Sequence, residues 1–411
     1  MQGPLRGSGI IVLACMLGIS DFTGARALAA SKGSVQKKQT LRTRKASKKK
    51  AVVPAASPVT IDTIEGTQAS PMESTQELVA TQPPKGPLRE LRIFPAPFYT
   101  PETSLGIAVV TAFFFRFKDF PKARASSNTS LLGATFNRQF SVTNQANIFF
   151  GENDWYLHVL AQARLWPNAF FGIGPDVGPT AESFEQRSVS TGIRLQKRFL
   201  NSLYIGPHLA VVYNNQSGFK EDGMLIQGTV PGADTHMIGS LSLAVTWDSR
   251  SSSTFPVNGG LYEFATGWNQ DLRGGSYNSW RTGVTLKKFF SVNDDHVFAL
   301  KFSTTFGFES AGDLPFTLMP TLGGEEKLRG IVDPRFRDRA ALHSVAEYRL
   351  RLSPRWGTVF FGGLGQVAPS LLNLQWDKFE PSAGAGLRFA IVKDELARFV
   401  GALDDAFERG G

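Results

Sequence analysis

From about Leu88 onward, apolar residues alternate with small or polar ones in long runs. Leu241, Leu243, Val245 and Trp247 are interleaved with Ser242, Ala244, Thr246 and Asp248. Phe298, Leu300, Phe302, Phe306 and Phe308 alternate with Ala299, Lys301, Ser303, Thr305 and Gly307, and Leu387, Phe389 and Ile391 with Gly386, Arg388 and Ala390. A period of two with one apolar face is the mark of a half-buried strand. Applied along the chain, it predicts strands at 90–98, 103–117, 127–136, 140–150, 154–165, 185–198, 202–214, 237–248, 260–269, 277–289, 296–309, 341–352, 356–367 and 382–392. In a soluble sandwich the apolar faces would meet a second sheet, whereas in a membrane barrel they meet lipid. The length of the strands, the abundance of Phe (33 in the chain, 30 of them between 88 and 392) and the glycine-rich or charged opposite face favour lipid. The expected fold is all-β, a transmembrane antiparallel β-barrel of about 14 strands, within a range of about 12–16. Pro95 and Pro97 confine the first strand to an edge or seam.

The remainder of the chain has a different texture. Arg6, the apolar run from Gly9 to Ile19, and Ala27-Leu28-Ala29 read as a secretory leader, residues 1–29. That run is shorter than the ~20 residues a membrane-spanning helix needs. Residues 30–87 are rich in Lys, Pro, Ala, Ser and Thr and carry no aromatic side chain, a composition expected to stay disordered. Net charge is +9, but nine Lys or Arg fall between Ser31 and Lys50, leaving the strand region close to neutral. The barrel is expected over 88–392, with an inserted loop at 316–340 and an atypical tail at 393–411.

Little in the chain suggests catalysis. Cys15, the only cysteine, lies in the leader. His158, His208, His236, His296 and His343 never fall at metal-ligand spacing, and the glycine pairs at 172–174 and 384–386 open no strand-helix-strand unit. No catalytic, cofactor-binding or metal residues are assigned, and the chain is not expected to be an enzyme. His343-Ser344 is the one adjacent pair a barrel hydrolase could use, the least favoured reading.

The most unusual stretch is Gly323-Gly324-Glu325-Glu326-Lys327-Leu328-Arg329-Gly330, continued by Arg335-Phe336-Arg337-Asp338-Arg339. A charged, glycine-rich loop of this length inside a strand-rich chain is more often functional than connective. Together with Trp247-Asp248-Ser249-Arg250, Phe170-Phe171-Gly172-Ile173-Gly174 and Glu347-Tyr348-Arg349, it resembles the BamA/TamA-type outer-membrane assembly and secretion barrels, the bacterial surface antigen family. The resemblance implies that Leu328, Arg329 and Gly330 lie at the tip of an extracellular loop folded into the barrel lumen, and that Asp248 and Arg250 form the family's strand-end motif. It also implies the outer membrane of a Gram-negative bacterium, and a role in inserting or translocating polypeptides through a seam between the first and last strands.

Three features depart from the family pattern. The polar segment before the first strand is too short for a POTRA repeat. The aspartate that would receive the loop arginine is replaced by glycine, at Gly363. The chain ends in Asp404-Asp405-Ala406-Phe407-Glu408-Arg409-Gly410-Gly411 rather than in an aromatic-terminated strand. Because Glu347, Arg349 and Arg351 share one strand face, Glu347 is the expected partner of Arg329. Expected partners are the lipid bilayer, client polypeptides and, through the basic tail, anionic envelope polymers, with no nucleic acid. A passive pore plugged by the loop is the alternative reading.

Overall fold

The computed structural model describes residues 89–389 apart from short breaks at 101–103, 122, 252–255, 294, 325 and 355. The expected leader, basic tail and C-terminal tail lie outside the described residues. Fourteen antiparallel strands form one sheet in strict chain order. They are β1 (Arg89–Thr100), β2 (Ser104–Phe115), β3 (Ser126–Thr135), β4 (Phe140–Phe150), β5 (Trp155–Phe170), β6 (Glu182–Leu200), β7 (Leu203–Ser217), β8 (His236–Asp248), β9 (Gly259–Asp271), β10 (Asn278–Asn293) and β11 (His296–Ala311), then β14 (Ala340–Arg351), β15 (Trp356–Ala368) and β16 (Glu380–Phe389). The connection between β11 and β14 carries a 3-10 turn at Phe316–Leu318 and a small hairpin of β12 (Thr321–Leu322) and β13 (Phe336–Arg337).

The sheet is inside out relative to a soluble protein. On β8, Leu241, Leu243 and Trp247 are exposed while Ser242, Thr246 and Asp248 are buried. On β6, Val189, Ile193 and Leu195 are exposed, opposite buried Ser188, Ser190, Arg194 and Gln196. An apolar face left open and a polar face turned inward suit strands whose outer solvent is hydrocarbon. The connections agree. At one end they are short, such as 151–154, 201–202 and 352–355; at the other they reach 171–181, 218–235 and 312–339.

The edges follow from the prolines. Among the described residues β1 pairs only with β2, and Pro95 and Pro97 stand opposite Val109 and Ile107. β16 pairs with β15, and no ladder joins it to β1 among the described residues. β5 continues past its expected end at 165 through Pro167. Beyond Leu165 it has lost β4 as a neighbour and pairs only with β6, so Pro167 needs no second ladder. The connections of strands remote in order meet: Lys378, just before β16, donates to Asp176 of the β5–β6 connection at 2.6 Å.

The apolar core sits inside the roll, where the β11–β14 connection folds in. Leu314, Phe316, Leu318 and Met319 pack with Phe170, Phe184, Val212 and Ile238 from the inner faces of β5 to β8. A second cluster joins Leu322, Leu328 and Phe336 to Ala341, Val345 and Val367 of β14 and β15.

Placing a charge on the outward face tests this orientation. Leu243→Arg, midway along β8, should destabilise the protein by about 2–4 kcal/mol in denaturant unfolding from lipid vesicles, and Leu243→Phe should leave stability nearly unchanged. Equal tolerance of both would mean that this face is not in hydrocarbon.

Candidate functional site: the inserted loop and its carboxylate

The loop tip is shaped by glycine. Gly330 has φ +87°, and Gly323, at φ +115°, lies so close to the Val332 carbonyl that a Cβ there would be 2.2 Å from its oxygen. These turns deliver Leu328 and Arg329 to the inner faces of β14–β16. Leu328 is fully buried over two glycines of β15: a Cβ at Gly363 would be 3.1 Å from its side chain and one at Gly365 2.9 Å. Gly363 is thus part of the seat for Leu328.

Arg329 is buried, and its Nη2 donates to Glu347 Oε1. Its guanidinium lies 3.8 Å from the centroid of the Phe361 ring, a cation–π contact. Its backbone carbonyl accepts from Ser382 Oγ of β16 at 2.6 Å. Glu347 also receives Arg349 Nε at 2.9 Å and Arg388 Nη2 at 3.3 Å, both on Oε2. One buried carboxylate therefore joins three guanidinium groups, from the loop, β14 and β16. In a low-dielectric interior such charge-assisted bonds are strong, and losing one partner strands the others.

The other predicted loop residues go elsewhere. Arg337 is fully buried on the opposite side of the interior, its Nη1 donating to the Phe316 carbonyl at 3.0 Å and its guanidinium facing Phe316 and Phe170 at 5.2 and 5.4 Å. Burial pulls its guanidinium down to about 10, and it stays charged at neutral pH. The Arg337 carbonyl accepts from Gly174 N at 2.8 Å, tying the loop to the β5–β6 connection. The Asp338 carboxyl is raised by burial and accepts from Arg339 N at 2.8 Å. Arg339 turns outward to Asp313 at 3.0 Å, and Arg335 stacks on Phe336 at 5.6 Å.

Asp248 and Arg250 lie at the far end, in the β8–β9 turn. Arg250 Nε and Nη2 donate to the two Asp248 oxygens at 3.0 and 3.1 Å, a bidentate pair that closes the strand end. It is not part of the loop site.

Sequence reasoning left out Arg349, Arg388, Phe361 and Ser382 as members of the Glu347 cluster. The alternation puts Arg388 on the polar face of its strand, but no local signal links it to a carboxylate 41 residues earlier. It also left out Arg281, whose Nη1 donates to the Leu318 carbonyl at 2.9 Å, and His236, whose Nε2 lies 2.9 Å from Thr317 Oγ1.

The family model of the Omp85 superfamily domain matches residues 117–391. A search of curated proteins returns no match. Among solved structures, BamA from Haemophilus ducreyi lacking POTRA domains 1–3 is similar with a TM-score of 0.51 at 11% identity, covering 74% of this chain and 65% of that one. CdiB from Acinetobacter baumannii gives a TM-score of 0.45 at 8% identity, covering 74% and 60%. The chain thus spans under two thirds of either structure's length, and at these identities the likeness is one of fold.

Two experiments probe the site. Arg329→Ala and Glu347→Ala should each destabilise by about 3 kcal/mol, and the double variant should cost less than their sum by at least ~1 kcal/mol; strict additivity in denaturant unfolding would mean the two groups do not interact. Gly363→Asp should unseat Leu328 and expose the loop to limited proteolysis, at a cost of about 1–3 kcal/mol. Adding Leu328→Ala should restore protection; failure of that rescue would place the cause outside the Leu328 seat.

Proposed function

The chain belongs to the Omp85 superfamily, and from that premise we propose that it assists the insertion or passage of polypeptides at the bacterial outer membrane, with the inserted loop as its working part. The observation that carries this reading is the way the loop tip is held. Arg329 is bound at once to Glu347 of β14 and, through its carbonyl, to Ser382 of β16, the strand whose outer edge has no ladder among the described residues. A diffusion pore gains nothing from a buried arginine tied to its last strand. A barrel that works at a seam gains a brace there, because an edge strand with no second ladder is held in place only by its one neighbour and by side-chain contacts from the interior.

The basic segment at 30–87 is proposed to lie in the periplasm as an arm that gathers acidic partners by long-range attraction. The alternative, a passive pore with the loop as plug, draws on the same polar interior but gives no role to the Ser382 and Arg388 contacts with the loop site. The proposal includes no chemical step.

Deleting the gene and comparing outer-membrane proteomes separates the two readings. Under the assembly reading, particular barrel or surface proteins should fall, to be restored by wild type but not by Arg329→Ala, and only partly by a version lacking residues 31–87. An unchanged proteome with altered uptake of small solutes would favour the pore.

A further inference from the structure

The connection between β15 and β16 covers outward positions of β14 and β15 with its residues 371–375, while its end turns Lys378 to Asp176 of the β5–β6 connection. On β15 the exposed residues Phe360 and Leu364 define the outward parity, which Gln366 and Ala368 continue, paired with Leu342 and Ala340 of β14. Both Gln366 and Ala368 are nevertheless buried. Their cover is the connection itself. Gln375 N donates to Gln366 Oε1 at 3.0 Å, and the 3-10 turn Leu371–Asn373 rests against β14.

Two apolar side chains of this cover are almost fully exposed. Leu372 is 97% exposed and Trp376 92% exposed, the latter flanked only by Phe379 at 5.6 Å. Leu364, the last open outward position on β15, is two residues below Gln366, about 7 Å at the rise of a strand. The exposed leucine and tryptophan therefore continue the apolar outer band at its upper rim. An indole there has an apolar body for the acyl chains and an N–H for the headgroups.

We propose that residues 371–376 form a lipid hook: Leu372 and Trp376 enter the acyl–headgroup boundary of the leaflet at the long-loop end. The hook sits on the hairpin that ends in β16, so it pins the strand next to the unpaired edge from outside while Ser382 and Arg388 hold it from inside. The occupant is lipid rather than a protein, because the patch is continuous with the outward face of the sheet and small, two side chains above that face. The proposal rests on the reading of that face as lipid-facing, and the test is built to tell the two apart.

After Cys15→Ser, which removes the only native cysteine, single-cysteine variants Leu372→Cys, Trp376→Cys, Leu364→Cys and Glu221→Cys are labelled with an environment-sensitive NBD probe in phosphatidylcholine vesicles, with or without brominated lipid. Probes at 372 and 376 should be blue-shifted and quenched about twofold by brominated lipid, as at 364, while the probe at 221 on the β7–β8 connection stays unquenched. Quenching at 364 with none at 372 and 376, or ready quenching of 372 and 376 by aqueous iodide, would overturn the hook alone. Absence of quenching at 364 as well would overturn the lipid-facing reading and the hook with it.

Discussion

A peptide N–H or C=O left unpaired in hydrocarbon costs several kcal/mol, and this constraint governs every other choice the chain makes. It requires neighbours on both sides of each strand and makes chain order the simplest strand order. It also makes the two edges the weak points. The first edge strand carries Pro95 and Pro97, which have no N–H to leave unpaired. The other, β16, is braced by side chains from the interior, through Ser382 and Arg388.

With lipid outside, hydrophobic burial has to be found within the roll. The β11–β14 connection supplies it, as Leu314, Phe316, Leu318 and Met319 fill one side against β5–β8 while Leu322, Leu328 and Phe336 fill the other against β14 and β15. The loop is thus both the core of the interior and the carrier of its charges. Arg329 and Arg337, eight residues apart, end on opposite walls, one on a carboxylate and the other between two aromatic rings. Such buried cations tolerate few alternative positions, because each would leave a charge desolvated and unpaired.

The position of the carboxylate has a steric as well as an electrostatic reason. Glycine at 363 and 365 opens β15 to receive Leu328, which removes any place for an acid on that strand at that level. Glu347 on the neighbouring β14, directly opposite Phe361, can then reach Arg329 from the side, while the Phe361 ring takes the face of the guanidinium. Arg349 and Arg388 meet the same acid, so the loop tip, β14 and β16 share one electrostatic centre.

Strand number, strand faces and the existence of the inserted loop were legible in the sequence, because a period of two is a local property that the pleat turns directly into inside and outside. The same rule put Glu347, Arg349 and Arg351 on one face. The tertiary structure alone decided which inward residues meet. The register of fourteen strands and the curl of the sheet bring Arg388 to a carboxylate two strands away, and carry Arg337 across the interior to Phe170. The fold of residues 371–375 over the outer wall was equally invisible, since Leu372 and Trp376 belong to no periodic run. Their setting comes from Gln366, a strand residue buried on a face where Phe360 and Leu364 below it are open, and only three-dimensional packing makes that contrast visible.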